Sequence, residues 1–223
     1  MTNDLSSPTS RRATIDAFLE KRRLQRQAPG TRGRLVFALD ATESRQPTWE
    51  LACRLQAEMF RTAIGALDIQ FVYFCGSCEF QVSPWISNGQ ALAELMTNVE
   101  CRAGFTQIGR VLTHAHKENN RQKVAALAYV GDCVEEEPAA LYDIARQLNL
   151  PVFMFQEGDD PIATKVFARI AALTKGAHCR FDAGAADQLA ELLRAVAAYA
   201  AGGLEALRLS SNAGAVKLLQ QLK

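Results

Sequence analysis

The stretch Leu35–Ser44 constrains the fold more than any other part of this sequence. Its first five residues are apolar and too few for an ordinary helix, so they predict a strand buried on both faces. Asp40 follows this run directly, and hydroxyl groups follow at Thr42 and Ser44. Because ligands bind outside the carboxyl ends of strands in open parallel sheets, these side chains are candidates for a metal loop. The alternative is a turn whose polar side chains cap the next helix.

Composition limits the class of protein. The chain has 223 residues, which suits one large α/β domain with a well-buried core. A formal net charge of +1 gives no global attraction for nucleic acid, and no apolar run approaches the length of a membrane span. Six irregularly spaced cysteines do not resemble a disulfide framework, and the N-terminus lacks the apolar core of a signal peptide. We therefore expect a cytoplasmic protein with reduced thiols that neither binds nucleic acid nor spans a membrane.

Short apolar segments alternate with helical patterns along the chain. After the first strand, they predict further strands at Asp68–Phe74, Glu79–Val82, Val124–Val130, Pro151–Phe155 and His178–Phe181. The connection Cys75–Cys78 is so short that the second and third strands must pair antiparallel. The sequence thus predicts a three-layer α/β/α, doubly wound, Rossmann-like fold whose six-stranded sheet is mostly parallel with one antiparallel edge strand.

Composition also divides the chain into three parts. Residues 1–33 predict a disordered polar start followed by a basic amphipathic helix over residues 11–27. Residues 34–202 predict the α/β domain, whose first helix is expected over residues 47–64. Residues 203–223 form a helical tail beyond a glycine pair, and we expect this tail to pack on the domain.

Three loops that should meet at one edge of the sheet carry oxygen ligands. The first holds Asp40, Thr42 and Ser44, the second holds Thr106, and the third holds Asp132 directly after a buried strand. Carboxylate and hydroxyl oxygens are hard ligands of the kind that Mg²⁺ prefers. These side chains with some water would fill an octahedron and leave one vertex for an acidic group from outside.

The order and spacing of these residues resemble the metal-ion-dependent adhesion site of the von Willebrand factor A domain family. That site has the pattern D-x-S-x-S, then a threonine, then an aspartate, and the hairpin at Phe74–Ser77 also resembles a Phe-Gly-Ser segment of the family. The resemblance covers roughly Arg34 to Ala201 and implies a von Willebrand factor A type sheet. It implies Mg²⁺ as the cofactor, with Mn²⁺ or Ca²⁺ as alternatives. The implied ligands are Asp40, Thr42, Ser44, Thr106 and Asp132.

The resemblance also implies a function. The ion would bridge the domain to an acidic residue of a protein partner, so the chain would be a non-enzymatic adaptor or assembly subunit. An ATPase or a chaperone complex is the expected kind of partner. The chain departs from the pattern with Thr42 for serine, Glu43 as an extra acid, Arg45 for an apolar residue, and Cys133 for glycine. None of these changes removes an oxygen ligand.

Two other functions fit the same residues. Aspartates at strand ends also hold the metal of phosphohydrolases and nucleases, which would use Asp40 and Asp132 with Glu43 or Glu135 as a base. A structural interaction domain with a degenerate metal site is the third interpretation.

Thiols are expected at the same edge of the sheet. Cys75 and Cys78 flank the hairpin turn, and Cys133 follows the third loop's aspartate. A zinc site would need Cys133 and Cys101 beside the hairpin pair, whereas free thiols are the simpler expectation. Our hypothesis is that Cys75, Cys78 and Cys133 make partner binding sensitive to oxidation.

Two further features are predicted to be structural. The acidic run Glu135–Glu137 precedes a helix and is interpreted as favourable charge at its N-terminus. His178 lies beside a strand and is predicted to have a structural role.

Overall fold

Helices cover both faces of a single sheet in the described part of the chain. The computed structural model describes residues 32–45, 67–76, 78–182 and 185–222. The helices predicted over residues 11–27 and 47–64 lie outside these described residues. The predicted three-layer α/β/α arrangement is confirmed for the part of the chain that is described.

The sheet has a doubly wound topology. Its strands are β1 (Gly33–Asp40), β2 (Leu67–Cys75), β3 (Glu79–Ile86), β4 (Ala126–Gly131), β5 (Val152–Glu157) and β6 (Ala177–Phe181). They are ordered β3-β2-β1-β4-β5-β6, with β3 antiparallel to β2 and every other pair parallel. The chain builds one half of the sheet from β1 and then returns to build the other half from β4. The carboxyl ends of β1 and β4 therefore flank the topological switch point, where ligands bind in this architecture.

Six α-helices and one short 3-10 turn are present among the described residues. The turn covers Glu43–Arg45, and the helices are α1 (Gly89–Thr97), α2 (Ile108–Arg121), α3 (Pro138–Gln147), α4 (Pro161–Leu173), α5 (Ala186–Leu209) and α6 (Ala213–Leu219). Proline occupies the first turn of α3 and of α4, where a missing N–H costs nothing. Within the described residues, no helix combines the length and the apolar character needed to cross a membrane.

Strand β1 separates two apolar layers. Leu35, Phe37 and Leu39 belong to the cluster that includes residues of α1, α5 and α6. Val36 and Ala38 belong to the cluster that includes residues of α2, α3 and α4. Each of these five side chains is at most 1% exposed. The short apolar run is thus a strand buried on both faces, as its sequence predicts.

The edge strand β3 extends beyond its predicted end at Val82. Pro84 argues against a strand there, because proline cannot donate a ladder hydrogen bond. The ladder accommodates it with a bulge, since the register shifts between Gln70 and Val72 of β2. The Ser83 hydroxyl accepts the N–H of Phe71 at 2.9 Å and so replaces a backbone acceptor.

The predicted glycine break near residue 202 is a kink. Helix α5 continues to Leu209, but Gly203 has φ 70° and ψ −161°, which are not helical angles. Gly203 therefore supplies the conformation that separates two helical segments.

The C-terminal segment covers the β6 edge of the sheet. Helix α6 packs on α5 so closely that a Cβ at Gly214 would lie 2.2 Å from the carbonyl oxygen of Glu191. The side-chain amide of Gln221 accepts the N–H of His178 at 2.9 Å and donates to its carbonyl at 2.7 Å. A side chain thus imitates a neighbouring strand and pairs an edge that would otherwise be open.

Buried charges are paired at the amino end of β1. The Arg34 guanidinium lies 3.7 Å above the ring of Trp85 and donates to the carbonyl of Gln122 at 2.7 Å. Glu118 of α2 accepts hydrogen bonds from Trp85 Nε1 at 3.0 Å and from Arg121 at 2.7 Å, and forms an ion pair with Arg34 at 3.4 Å. Arg34 and Glu118 are 7% and 6% exposed, so this network joins β1, β3 and α2 in a nearly dry environment.

We expect Glu118→Ala to lower the free energy of unfolding by about 3 kcal/mol, because removing one partner leaves a buried guanidinium and an indole N–H uncompensated. Urea denaturation at neutral pH measures this loss. The matched control is Glu94→Ala on α1, an exposed glutamate whose replacement should change stability by no more than about 0.5 kcal/mol. Equal effects of the two substitutions would contradict the network's role.

Two histidines are bonded in their neutral form inside the fold. His114 Nε2 donates to the Gln70 side-chain oxygen at 2.8 Å, and His178 Nε2 donates to that of Gln156 at 3.0 Å. Burial lowers the pKa of both histidines below the ordinary value of 6.5. The structural role predicted for His178 agrees with these contacts.

Stability should therefore decrease as pH falls below about 6.5. Both imidazoles are neutral in the folded and unfolded states above that pH, and below it the unfolded state binds protons first. Urea denaturation at pH 7.5 and pH 5.5 measures the difference, and His178→Gln should reduce it. NMR titration of the native imidazoles checks the cause directly, because a pKa at or above 6.5 for both would exclude this explanation.

Candidate functional site

The carboxyl end of β1 forms a tight turn around Asp40. The Asp40 side chain is fully buried, and its Oδ1 accepts the N–H of Thr42 at 2.9 Å. The hydroxyls of Thr42 and Ser44 lie 3.3 Å apart, the first buried and the second exposed. The local structure is thus an Asx turn, and the hydroxyls of Thr42 and Ser44 are neighbours within it.

Strand pairing brings a second aspartate to the same place. Leu39 of β1 pairs with Val130 of β4, so the two strands end side by side. One ligand atom each from Asp40, Asp132 and Cys133 lies within 4.8 Å of the others. Asp132 Oδ1 is buried and has no hydrogen-bond partner among the described residues. A buried carboxylate oxygen in that state is costly unless a cation or a donor arrives.

Thr106 is fixed to the loop that carries Asp132. Its N–H donates to Glu135 Oε2 at 2.8 Å, and its hydroxyl accepts the N–H of Glu135 at 3.0 Å. The residue is 4% exposed. These reciprocal bonds join the second candidate loop to the third. Because a hydroxyl oxygen has two acceptor positions, Thr106 keeps one after accepting this bond.

Backbone contacts hold the first and second loops together. The N–H of Arg102 donates to the Ala41 carbonyl at 3.1 Å, and its own carbonyl accepts the N–H of Gly76 at 3.3 Å. A Cβ at Gly104 would lie 1.8 Å from the carbonyl oxygen of Gly76, so only glycine fits at this crossing. All the loops that carry candidate ligands therefore meet at one edge of the sheet.

Glu136, in the acidic run after Asp132, caps α2, whereas the run directly precedes α3. Glu136 accepts the N–H of Ile108 at 2.5 Å and that of Gly109 at 2.8 Å, which are the first residues of α2. That helix has no side-chain cap of its own at Gln107. Burial raises the pKa of Glu136, while these N–H groups act in the opposite direction. At α3, which the acidic run precedes, Glu137 makes no capping hydrogen bond.

Tyr129 is a polar residue of the site that sequence reasoning missed. The side chain is 1% exposed, and its hydroxyl lies over Gly131, where a Cβ would be 2.6 Å away. Burial raises the pKa of Tyr129, and the negative charge of Asp40 adds to this effect. Among the described residues, the hydroxyl has no hydrogen-bond partner. Tyr129 lies inside an apolar strand, so its sequence context indicates a core residue. The one sequence feature that could have indicated a role at the site is its hydroxyl, three residues before Asp132.

The candidate thiols lie in different surroundings. Cys133 lies beside the two aspartates, and burial raises its pKa. Cys75 belongs to the apolar cluster that contains Leu39, on the face opposite Val36 and Ala38, and its thiol donates to Glu79 at 3.3 Å. Burial raises the pKa of Cys75 to about 11, so it is an unreactive thiol. Four of the described cysteines have free thiols, and these are Cys75, Cys78, Cys133 and Cys179.

We expect Glu136→Gln to lower the free energy of unfolding by about 1 kcal/mol, because an amide supplies one neutral acceptor where a carboxylate supplies two charged ones. Hydrogen exchange should accelerate at the amides of Ile108 and Gly109. The matched control is Glu137→Gln, the same substitution at the neighbouring exposed acid, which should leave both measurements unchanged. A larger effect from the control would refute the capping role of Glu136.

Comparison with known proteins supports the fold. No protein-family model matches the chain, and neither does any curated protein sequence. Among solved structures, the VWA domain of SpRpn10 matches with a TM-score of 0.54 and 11% identity, covering 71% of this chain and 95% of that one. The ArnB paralog VWA2 from Sulfolobus acidocaldarius matches with a TM-score of 0.55 and 11% identity, covering 74% of this chain and 45% of that one. The human COPII-coat protein Sec24c matches with a TM-score of 0.57 and 11% identity, covering 74% of this chain and 32% of that one.

At these identities the matches show the fold alone, and two of the matched structures are VWA domains. The family resemblance predicted from the three loops is thereby confirmed at the level of the fold. The chain has the fold of a von Willebrand factor A domain.

Proposed function

We propose that this chain is a non-enzymatic module that binds a protein partner through a divalent metal ion at its carboxyl edge. The observation that carries the proposal is the convergence of Asp40 and Asp132, together with Cys133, within 4.8 Å at the switch point of the sheet. Two carboxylates from distant strands meet there in a largely buried position, and such a cluster is stabilised by a cation.

The donor set suits a hard divalent ion. Asp40 and Asp132 would hold Mg²⁺, and the hydroxyls of Thr42, Ser44 and Thr106 would add oxygens to the two carboxylates. The buried and unpartnered Asp132 Oδ1 is a ready ligand. Mn²⁺ and Ca²⁺ are alternatives with the same oxygen preference. When bound, the ion supplies an open coordination position for an acidic side chain of the partner.

The surroundings of the site suit a protein partner. Phe105 precedes Thr106 and is 64% exposed, so an aromatic ring stands beside the candidate metal ligands. Exposed aromatic residues of this kind act as anchors in protein interfaces. The partner would present an acidic residue next to an apolar one. We propose an adaptor or assembly role, with an ATPase or chaperone complex as the partner.

The free thiols of Cys75, Cys78, Cys133 and Cys179 support a reducing compartment, and we propose the cytoplasm as the location.

The contacts of the glutamates favour binding over hydrolysis. A metal-dependent phosphohydrolase or nuclease would need a base near the metal, and the candidates are Glu43 and Glu135. Glu135 Oε2 already accepts the N–H of Thr106 at 2.8 Å, and Glu43 is exposed in a 3-10 turn. Both glutamates are exposed, and neither has a contact among the described residues that would position it as a base toward a metal-bound water.

Asp40→Ala should abolish the magnesium dependence of the protein. Mg²⁺ at one hundred times its dissociation constant would stabilise the wild type by about 2.7 kcal/mol, because the ion binds only the native state. Thermal melting with Mg²⁺ and with chelator, followed by isothermal titration, measures this gain and its loss. Asp40→Asn keeps the acceptor for the Thr42 N–H and serves as a second variant that preserves the turn.

The matched control is Asp143→Ala, which removes an exposed acid of α3 whose ion pair among the described residues is with its neighbour Arg146. It should retain the full response to Mg²⁺. Capture of a protein partner should require Mg²⁺ and fail with Asp40→Ala. Undiminished metal affinity in both Asp40 variants would reject the proposed function, as would magnesium-dependent phosphate release by the wild type.

A further inference from the structure

We propose that Cys133 is a ligand of this metal site and that the site therefore prefers Zn²⁺ or Co²⁺ to Mg²⁺. The inference rests on the proposed function and sharpens it, because it names the ion through which the partner is bound. Cys133 occupies the position where the family pattern has a glycine, which has no side chain to bind a metal.

The placement of the thiol is the first argument. Cys133 Sγ lies within 4.8 Å of both an Asp40 oxygen and an Asp132 oxygen, and the side chain is half-buried. Ligand atoms around a tetrahedral ion with bonds of about 2.0–2.3 Å stand closer than this, so a small inward shift completes the site. The two aspartates come from β1 and β4, which the sheet holds side by side.

The number of available oxygens is the second argument. Mg²⁺ requires near-octahedral coordination, whereas Zn²⁺ is satisfied by four ligands. The Thr106 hydroxyl keeps one acceptor position after accepting the N–H of Glu135 at 3.0 Å, and the hydroxyls of Thr42 and Ser44 lie 3.3 Å from each other. A tetrahedral ion would need none of these hydroxyls, because Asp40, Asp132 and Cys133 would supply three of its four ligands. The fourth position would be left for the acidic group of the partner.

Tyr129 is independent evidence that this cluster receives a ligand. Its hydroxyl is buried, lies directly over Gly131, and has no hydrogen-bond partner among the described residues. A buried phenol O–H usually finds an acceptor. Gly131 directly precedes Asp132, so the hydroxyl is a donor beside the cluster that a bound group would satisfy.

The donor chemistry then selects the ion. A thiolate is a soft ligand that Zn²⁺ and Co²⁺ accept and that Mg²⁺ does not. On binding, the Cys133 S–H bond breaks, its proton passes to the buffer, and a bond from sulfur to the metal replaces one from a water molecule. No electron is transferred in this step.

Cobalt titration tests the proposal, because a bond between cysteine thiolate and Co²⁺ produces a charge-transfer absorption in the near ultraviolet. The full chain should show this absorption, and Zn²⁺ but not Mg²⁺ should displace the cobalt. Cys133→Ser should abolish the absorption and weaken Zn²⁺ binding by at least about tenfold, while leaving Mg²⁺ binding unchanged. The matched control is Cys78→Ser, which removes an exposed thiol at the hairpin and should behave as the wild type.

A second measurement does not depend on the folding of any variant. Alkylation of the wild-type chain, read by peptide mass spectrometry, should be slowed at Cys133 by Zn²⁺ and unaffected by Mg²⁺. Cys78 should react at the same rate throughout.

Each outcome separates this inference from the proposed function. If Mg²⁺ binds and Co²⁺ gives no thiolate absorption, or if Cys133→Ser binds Zn²⁺ as the wild type does, the inference is overturned and the proposed function stands. If none of Mg²⁺, Zn²⁺ and Co²⁺ raises the melting temperature of the wild type, both fail.

Discussion

The burial of β1 on both faces is the constraint on which the rest of the structure depends. Its alternate side chains supply two separate apolar layers, and its neighbours β2 and β4 bond it on both edges. A strand in this position cannot slip by one residue without exchanging the two layers. The residue that ends it, Asp40, is therefore held at a fixed point beside the end of β4, and the geometry of the site follows from the registration of the central strands.

Buried charges are paired within the protein at the amino end of the central strands, whereas two carboxylates converge at the carboxyl end. At the amino end, the guanidinium of Arg34 meets the carboxylate of Glu118 and the ring of Trp85, so charge is neutralised within the protein. At the carboxyl end, Asp40 and Asp132 converge, and the oxygen Oδ1 of Asp132 finds no donor among the described residues. The first arrangement contributes to stability, and the second is the kind of imbalance that a cation corrects.

The acids around the site divide into those that build it and those available to a ligand. Glu136 holds the first N–H groups of α2, and Glu135 exchanges hydrogen bonds with Thr106. These contacts fix the second and third loops to each other and use carboxylates as structural caps. Asp132 remains directed at the cluster with Asp40 and Cys133, which explains why a run of acids in one loop does not act as a single group.

The sequence by itself determined the strand pattern, the antiparallel edge pair and the shared edge at which Asp40 and Asp132 lie, because side-chain alternation and connection length fix these features locally. It misjudged the end of β3, where a bulge accommodates Pro84, and it did not show that Glu136 caps α2. Only the tertiary structure separated Cys133 from Cys75 and placed the Tyr129 hydroxyl at the site. The reason is physical, since a strand's sequence shows which residues alternate, whereas the partner of a buried donor or acceptor depends on segments that meet only after folding.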